Sequence, residues 1–161
     1  MIAFTVDGKP ATKGSFRAIV TRGRTASGRP KAIAKNDNPR TKSWQAIVGW
    51  SARAAMRGAA PMTRGVEVGA MFRFTRPKRI DRAGDYDGPM LDVDKLLRAL
   101  LDGLSGILFA DDAQVERADA GKRWCEPGEA EGVEVVVRER SATPIVDALA
   151  AMVDAIPRRK R

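Results

Sequence analysis

Alternation of apolar and polar positions marks the first and most regular elements of this chain. Ile2, Phe4 and Val6 alternate with Ala3 and Thr5 up to the turn pair Asp7-Gly8, which predicts a strand. Val66, Val68, Ala70, Phe72 and Phe74 repeat the pattern until Pro77 stops it. Between them the period changes. From Thr41 to Arg57, Trp44, Ile47, Val48, Ala55 and Met56 form a helical stripe that ends at Gly58 and Pro61. Tryptophans at helical spacing read as core, so Trp44 and Trp50 are expected inside, with base stacking as the alternative.

A second helix is predicted where Leu96, Leu97, Leu100, Leu101 and Leu104 share one face and Lys95, Arg98 and Asp102 the other. Ala113 to Trp124 and Gly132 to Arg140 read as a hairpin pair turned by Glu126-Pro127-Gly128. Pro144 opens a last helix with Ile145, Leu149, Met152, Val153 and Ile156 as its stripe, before a basic tail. That helix is expected to dock on the core, or alternatively to form a subunit contact. The elements do not alternate as repeated βαβ units, so the expected fold is a single α+β domain, a mixed sheet with helices packed on one side.

Charge divides the chain. Of the net +9, residues 1–58 carry twelve Lys or Arg against two Asp, while the remainder holds seventeen cations and eighteen anions. A basic half beside a carboxylate-rich half suits an enzyme that grips a polyanion with one region and works on its phosphate with the other. The stretch from Lys9 to Lys42, with Lys13, Arg17, Arg22 and Arg24, reads as a flexible basic connection, mobile in part until it orders along phosphates, or else as a plain linker. Arg73, Arg76, Lys78 and Arg79 mark a second basic site, while Lys122 and Arg123 read either as substrate contacts or, equally well, as cations that protect an exposed strand edge. With 161 residues and 43% hydrophobic content, one core needs no disulfides.

Cysteine and histidine usage excludes much chemistry. Cys125 stands alone and histidine is absent, which rules out an internal disulfide, a cysteine zinc site, a Ser-His-Asp triad and any His-ligated metal. No phosphate-binding G-x-x-x-x-G-K-[ST] loop is present, so no nucleotide cofactor is expected. No membrane-length apolar run or secretory leader pattern occurs, which predicts a soluble, cytoplasmic protein. Catalysis then falls to carboxylates, Lys, Arg and a bound ion.

Asp92 and Asp94 precede the second helix, and Asp111 and Asp112 follow it. If the chain leaves the helix at Gly106 and returns through Ile107, Leu108 and Phe109, the two pairs face each other. Four carboxylates in a small volume call for a cation, and Mg²⁺ with its oxygen shell is the natural one. Asp85-Tyr86-Asp87-Gly88 is not a calcium loop, because Leu96 stands where the terminal glutamate belongs.

D-V-D-K-L-L-R-A-L-L-D-G-L followed by D-D-A-Q-V, from Asp92 to Val115, resembles the signature of the RusA family of Holliday junction resolvases, small endonucleases common in phages and prophages. The resemblance implies Asp92, Asp94 and Asp112 as metal-binding catalytic carboxylates, Arg98 in the place of a catalytic lysine, and Lys95, Asp102 and Asp111 in support. It further implies Mg²⁺ (Mn²⁺ in substitution), a homodimer, branched DNA as substrate and a bacterial host cytoplasm. The nuclease domain is expected over residues 1–143, with 144–161 a C-terminal helix and tail. Lys95 stands where some members carry Asn, and Arg98, unlike lysine, is a poor proton donor. The alternatives are a non-catalytic branched-DNA-binding protein and a nuclease of flaps or forks.

Overall fold

A computed structural model describes residues 1–14, 16–24, 26–36, 38–78, 87–140 and 150–151. Six strands and two α-helices make up the described fold: β1 (Ile2–Asp7), β2 (Phe16–Arg24), β3 (Pro30–Asn36), α1 (Thr41–Met56), β4 (Val66–Phe74), α2 (Val93–Leu104), β5 (Val115–Trp124) and β6 (Gly132–Glu139). A short 3-10 turn, Asp112–Gln114, leads into β5. The expected α+β class holds: four strands form a mixed sheet in the order β1-β6-β4-β5, and α1 and α2 pack against one face of it. Of the C-terminal helix expected from Pro144 only Ala150 and Ala151 are described, both helical and exposed; the rest of it, and the boundary at 143, lie outside the described residues. Among the described residues no helix is long and apolar enough to cross a membrane.

Registers align the alternating residues into rows. Phe4, Val135, Ala70 and Ala120 form one row across the sheet, and Val6, Val133, Phe72 and Lys122 the next. Their apolar members meet Trp44, Val48 and Ala52 of α1 and Leu96, Ala99, Leu100 and Leu104 of α2 in one core. The helices touch through glycines. A Cβ on Gly103 would stand 2.9 Å from Val48 Cγ1 and 3.0 Å from the Gln45 carbonyl oxygen, and one on Gly49 would stand 2.9 Å from Ile107 Cδ1.

Two expectations fail here. β5 and β6 are not a hairpin: β4 lies between them, parallel to β5 and antiparallel to β6. Alternation fixed which residues face the core but carried no information on neighbours, and the crossover through α2 delivers β5 to the far edge of β4. The basic connection is likewise not an open loop, since β2 and β3 pair antiparallel as a separate ribbon. Ala18, Ile19 and Val20 opposite Ala32, Ile33 and Ala34 supply strand-forming residues that the surrounding cations obscured.

The second face of the sheet is charged yet largely buried. Arg73 lies 3.1 Å from both Asp7 and Glu129 and 3.7 Å from Glu134, while Arg123 bonds Glu129 at 2.6 Å and Glu134 at 3.0 Å. Arg138 pairs with Glu67 at 2.9 Å. Hydrogen bonds from Arg123 hold the Glu129 carboxyl down at about 2, against the opposing effect of burial and with help from the Glu126 N–H and Arg73. Burial pushes the Glu134 carboxyl up, opposed by Arg123 and Arg73.

Glu129 is depressed in the folded state, so the unfolded chain binds the proton more tightly. Its stabilisation is therefore complete above its ordinary value of 4.5 and declines as pH falls toward about 2. Glu129→Gln is expected to cost about 2 kcal/mol near neutrality, a gap to wild type that narrows below pH 4.5 in urea melts. Gly103→Ala, despite the better helix propensity of alanine, is expected to cost about 1–2 kcal/mol in the same assay, because the Gln45 carbonyl cannot yield.

Candidate active site

The β4-α2-β5 crossover decides where each carboxylate goes. Because β4 and β5 are parallel, α2 returns antiparallel to both, so its first turn lies at the C-terminal ends of the strands. Lys122 Nζ bonds the Leu91 carbonyl at 2.6 Å and Trp124 Nε1 bonds that of Asp87, which fastens the approach to α2 at that end. Asp111 and Asp112 come after α2 and before β5, at the opposite end. Twelve helical residues separate the pairs by about 18 Å.

Asp92 occupies the N-cap position of α2 in extended geometry, but its side chain makes no cap hydrogen bond. It accepts instead from Lys95 Nζ at 2.5 Å, and that bond, with the charges of Lys95 and Lys122, holds its carboxyl below the usual range. Lys95 is raised in return. Asp94 is exposed in the first turn, and Arg98 stands exposed one turn further along the same side. The 9–14 segment anchors beside them: Lys13 N bonds the Lys95 carbonyl at 2.9 Å, and Lys13 Nζ pairs with Asp102 at 2.7 Å. Asp102 also accepts from Gln45 at 2.9 Å, so it ties α2 to α1.

At the other end Asp111 caps the short turn by accepting from the Ala113 N–H at 2.9 Å. Gln114 completes the lock. Its Oε1 accepts from the N–H groups of Ala110 (2.7 Å) and Asp111 (3.3 Å), while its Nε2 donates to the carbonyls of Met62 (3.3 Å) and Arg64 (3.1 Å). Asp112 is exposed on that braced turn. The role of Gln114 was missed from sequence because a glutamine in a motif does not say which backbone groups it serves. Arg64, exposed beside it and lining an open cleft of about 800 Å³ with Arg117 and Arg140, carried no pattern at all.

Among the described residues no three acidic or cysteine side chains group closely enough to hold a metal ion. The expected convergence of both pairs within one chain therefore fails: residues 105–109 form a turn closed by a Ser105–Phe109 bridge, and β5 then leads away from it. Reaching the start of α2 would take a second traverse of the sheet.

A family model described as endodeoxyribonuclease RusA matches residues 18–138, most of the chain. The chain belongs to the RusA endodeoxyribonuclease family. Every residue of the Asp92–Val115 signature lies inside the match. No curated protein matches the chain. RusA enzymes are hydrolases of DNA, and the basic sites expected to meet it can be sorted on that footing.

Arg73 is 4% exposed and spent in the charge network, so it is not a DNA contact. Arg123 is held in the same network, and Lys13 is committed to Asp102. Arg76 pairs with Asp87 at 2.8 Å on the surface, Lys78 is exposed, and Arg24 bonds the Gly28 carbonyl at the tip of the ribbon. Lys122 serves the Leu91 carbonyl. The side chains of Arg17 and Arg22 lie outside the described residues, as does Asp85. Trp44 is core at 2% exposure, whereas Trp50, expected inside with it, is 71% exposed.

Gln114→Leu removes four bonds to backbone groups and is expected to destabilise the protein by about 1–3 kcal/mol. Amide exchange should quicken at Ala110, Asp111 and Ala113 before the sheet opens, which hydrogen-exchange mass spectrometry would detect.

Proposed function

We propose that this RusA-family chain is a Mg²⁺-dependent, structure-specific endodeoxyribonuclease that resolves four-way DNA junctions as a homodimer. Each catalytic centre draws Asp92 and Asp94 from one protomer and Asp112 from the other. The observation that carries this reading is the separation of the carboxylates: Asp92 and Asp94 lie at the start of α2 and Asp112 lies beyond its end, and no three acids group together among the described residues. A two-fold axis can set the first end of one α2 against the last turn of its mate, forming two equivalent centres. A four-way junction has the same symmetry.

The donor set fits Mg²⁺. It consists of hard carboxylate oxygens, the chain has no histidine, and the charged groups acting on its single thiol, Cys125, are Glu129, Arg73, Glu131 and Arg123, not the signature aspartates. When bound there, Mg²⁺ (or Mn²⁺) supplies a Lewis acid to the scissile phosphate and lowers the pKa of an attacking water. Asp92, Asp94 and Asp112 would hold it. In the free protein Lys95 serves as the countercharge of Asp92. Arg98 presents a permanent cation to the charge that builds on the phosphate, a role that needs no proton transfer. The segment leading into the β2-β3 ribbon is rooted on α2 through Lys13.

Asp94→Asn and Asp112→Asn are each expected to bind a synthetic four-way junction while cutting on the order of a hundredfold to a thousandfold more slowly. Mixed in equal amounts, they form heterodimers with one intact centre and one doubly damaged centre. The mixture should recover about a quarter of the wild-type sites and make single nicks rather than paired cuts. A mixture that stays inactive after verified subunit exchange would sink the shared centre. A wild-type protein that binds the junction but never cuts it across a Mg²⁺ and Mn²⁺ series would leave a binding protein, and faster cutting of a flap would reassign the substrate.

A further inference from the structure

Trp50 is the largest apolar side chain exposed on this fold, and its surroundings are unusual. On α1 its i−4 and i+4 neighbours, Ala46 and Ala54, are small and exposed, and the side chain stands 71% exposed. Residues 38–65 contain five cations, Arg40, Lys42, Arg53, Arg57 and Arg64, and no acid. All five are exposed, and none is paired with a carboxylate among the described residues. On the sheet and its connections, by contrast, Arg73, Arg76, Arg117, Arg123, Arg138 and Arg140 all hold acids. A bare aromatic ring inside an unneutralised positive field suits a ligand that is flat, apolar on its faces and anionic at its edges.

We propose that the solvent face of α1 is a second nucleic-acid surface, on which Trp50 stacks against an unpaired base while Arg53 and Arg57 take the flanking phosphates. Stacking on an aromatic ring is tolerant of base identity, and the cations follow the backbone. The surface sits at the Asp112 end of the molecule. Gln45 of α1 bonds Asp102 of α2, Gly49 packs on Ile107, Met62 N bonds the Leu108 carbonyl at 2.8 Å, and Arg64 is tied to the Asp112 turn through Gln114. A strand engaged at Asp112 therefore has its continuation within reach of this face, and bases opened at a branch point are the ones free to stack.

A self-contact across a two-fold axis is the rival occupant of an exposed tryptophan. It would place Arg53 and Arg57 against their own copies with no acid in the segment to offset them, which is repulsive. DNA carries the complementary charge.

The inference rests on the DNA reading above, but its test uses binding without metal, so the two can fail separately. The probes are a short single-stranded oligodeoxynucleotide and a four-way junction with unpaired bases at its centre. Wild-type indole emission is expected to be quenched on binding. Trp50→Ala should abolish that quench and weaken binding to both probes about tenfold to a hundredfold, with an unchanged thermal midpoint, while Trp50→Phe retains most of the affinity. Arg53→Gln and Arg57→Gln should each lower the salt slope by about one. Wild-type affinity in Trp50→Ala would overturn the proposal whether or not the protein cuts DNA. So would a loss of affinity that sedimentation traces to dissociation into monomers, since Trp50 would then be an interface residue.

Discussion

Parallel pairing of β4 with β5 is the constraint on which the site depends. Parallel neighbours cannot be joined by a tight turn, so the chain must climb back across the sheet, and α2 is that return. An apolar stripe of Leu96, Leu100 and Leu104 holds the return against the core, with Gly49 and Gly103 letting α1 come close enough to cover it. The signature acids bracket this helix. Its length therefore sets Asp94 and Asp112 apart, and the proposed centre takes them from different protomers.

Each end of α2 is braced by a different device. At the first turn, Lys122 and Trp124 of the β5 edge hold the carbonyls of Leu91 and Asp87, and Lys95 lies against Asp92. At the last, one glutamine satisfies four backbone groups and joins the Asp111-Asp112 turn to the segment leaving α1. Uncapped carboxylates at one end and a side-chain lock at the other leave Asp92, Asp94 and Asp112 exposed on backbone that is itself held firmly. That combination suits ligands that must be both available and fixed.

Charges on this protein fall into two populations. Those on the second sheet face are consumed internally: Arg73 and Arg123 are enclosed by Asp7, Glu129 and Glu134, which fixes the connection from β5 to β6 past the end of β4. Burying such ions is favourable only when each finds partners, and breaking one pair leaves another charge stranded. The cations of 38–65 make no ion pair among the described residues, and Arg53 and Arg57 lie toward the same side of α1 as Trp50. A formal charge of +9 thus says less than its division into spent and available cations.

Composition and period were enough for the α+β class, the strand faces, both described helices and the family, since these depend on local alternation, helical stripes and a motif contiguous in the chain. Which strands are neighbours was not legible, because a strand's apolar face is the same beside any partner; hence β4 and not β5 stands next to β6. Nor was burial of charge: Arg73 reads like Arg76, and only the rows across the sheet set it against Asp7 and Glu134. Trp44 and Trp50 share a helix and a residue type, and the 2% and 71% exposures follow from where the sheet and α2 lie against α1. The acids themselves could be read from the sequence; their distance could not, because a motif records order along the chain while the crossover sets separation in space.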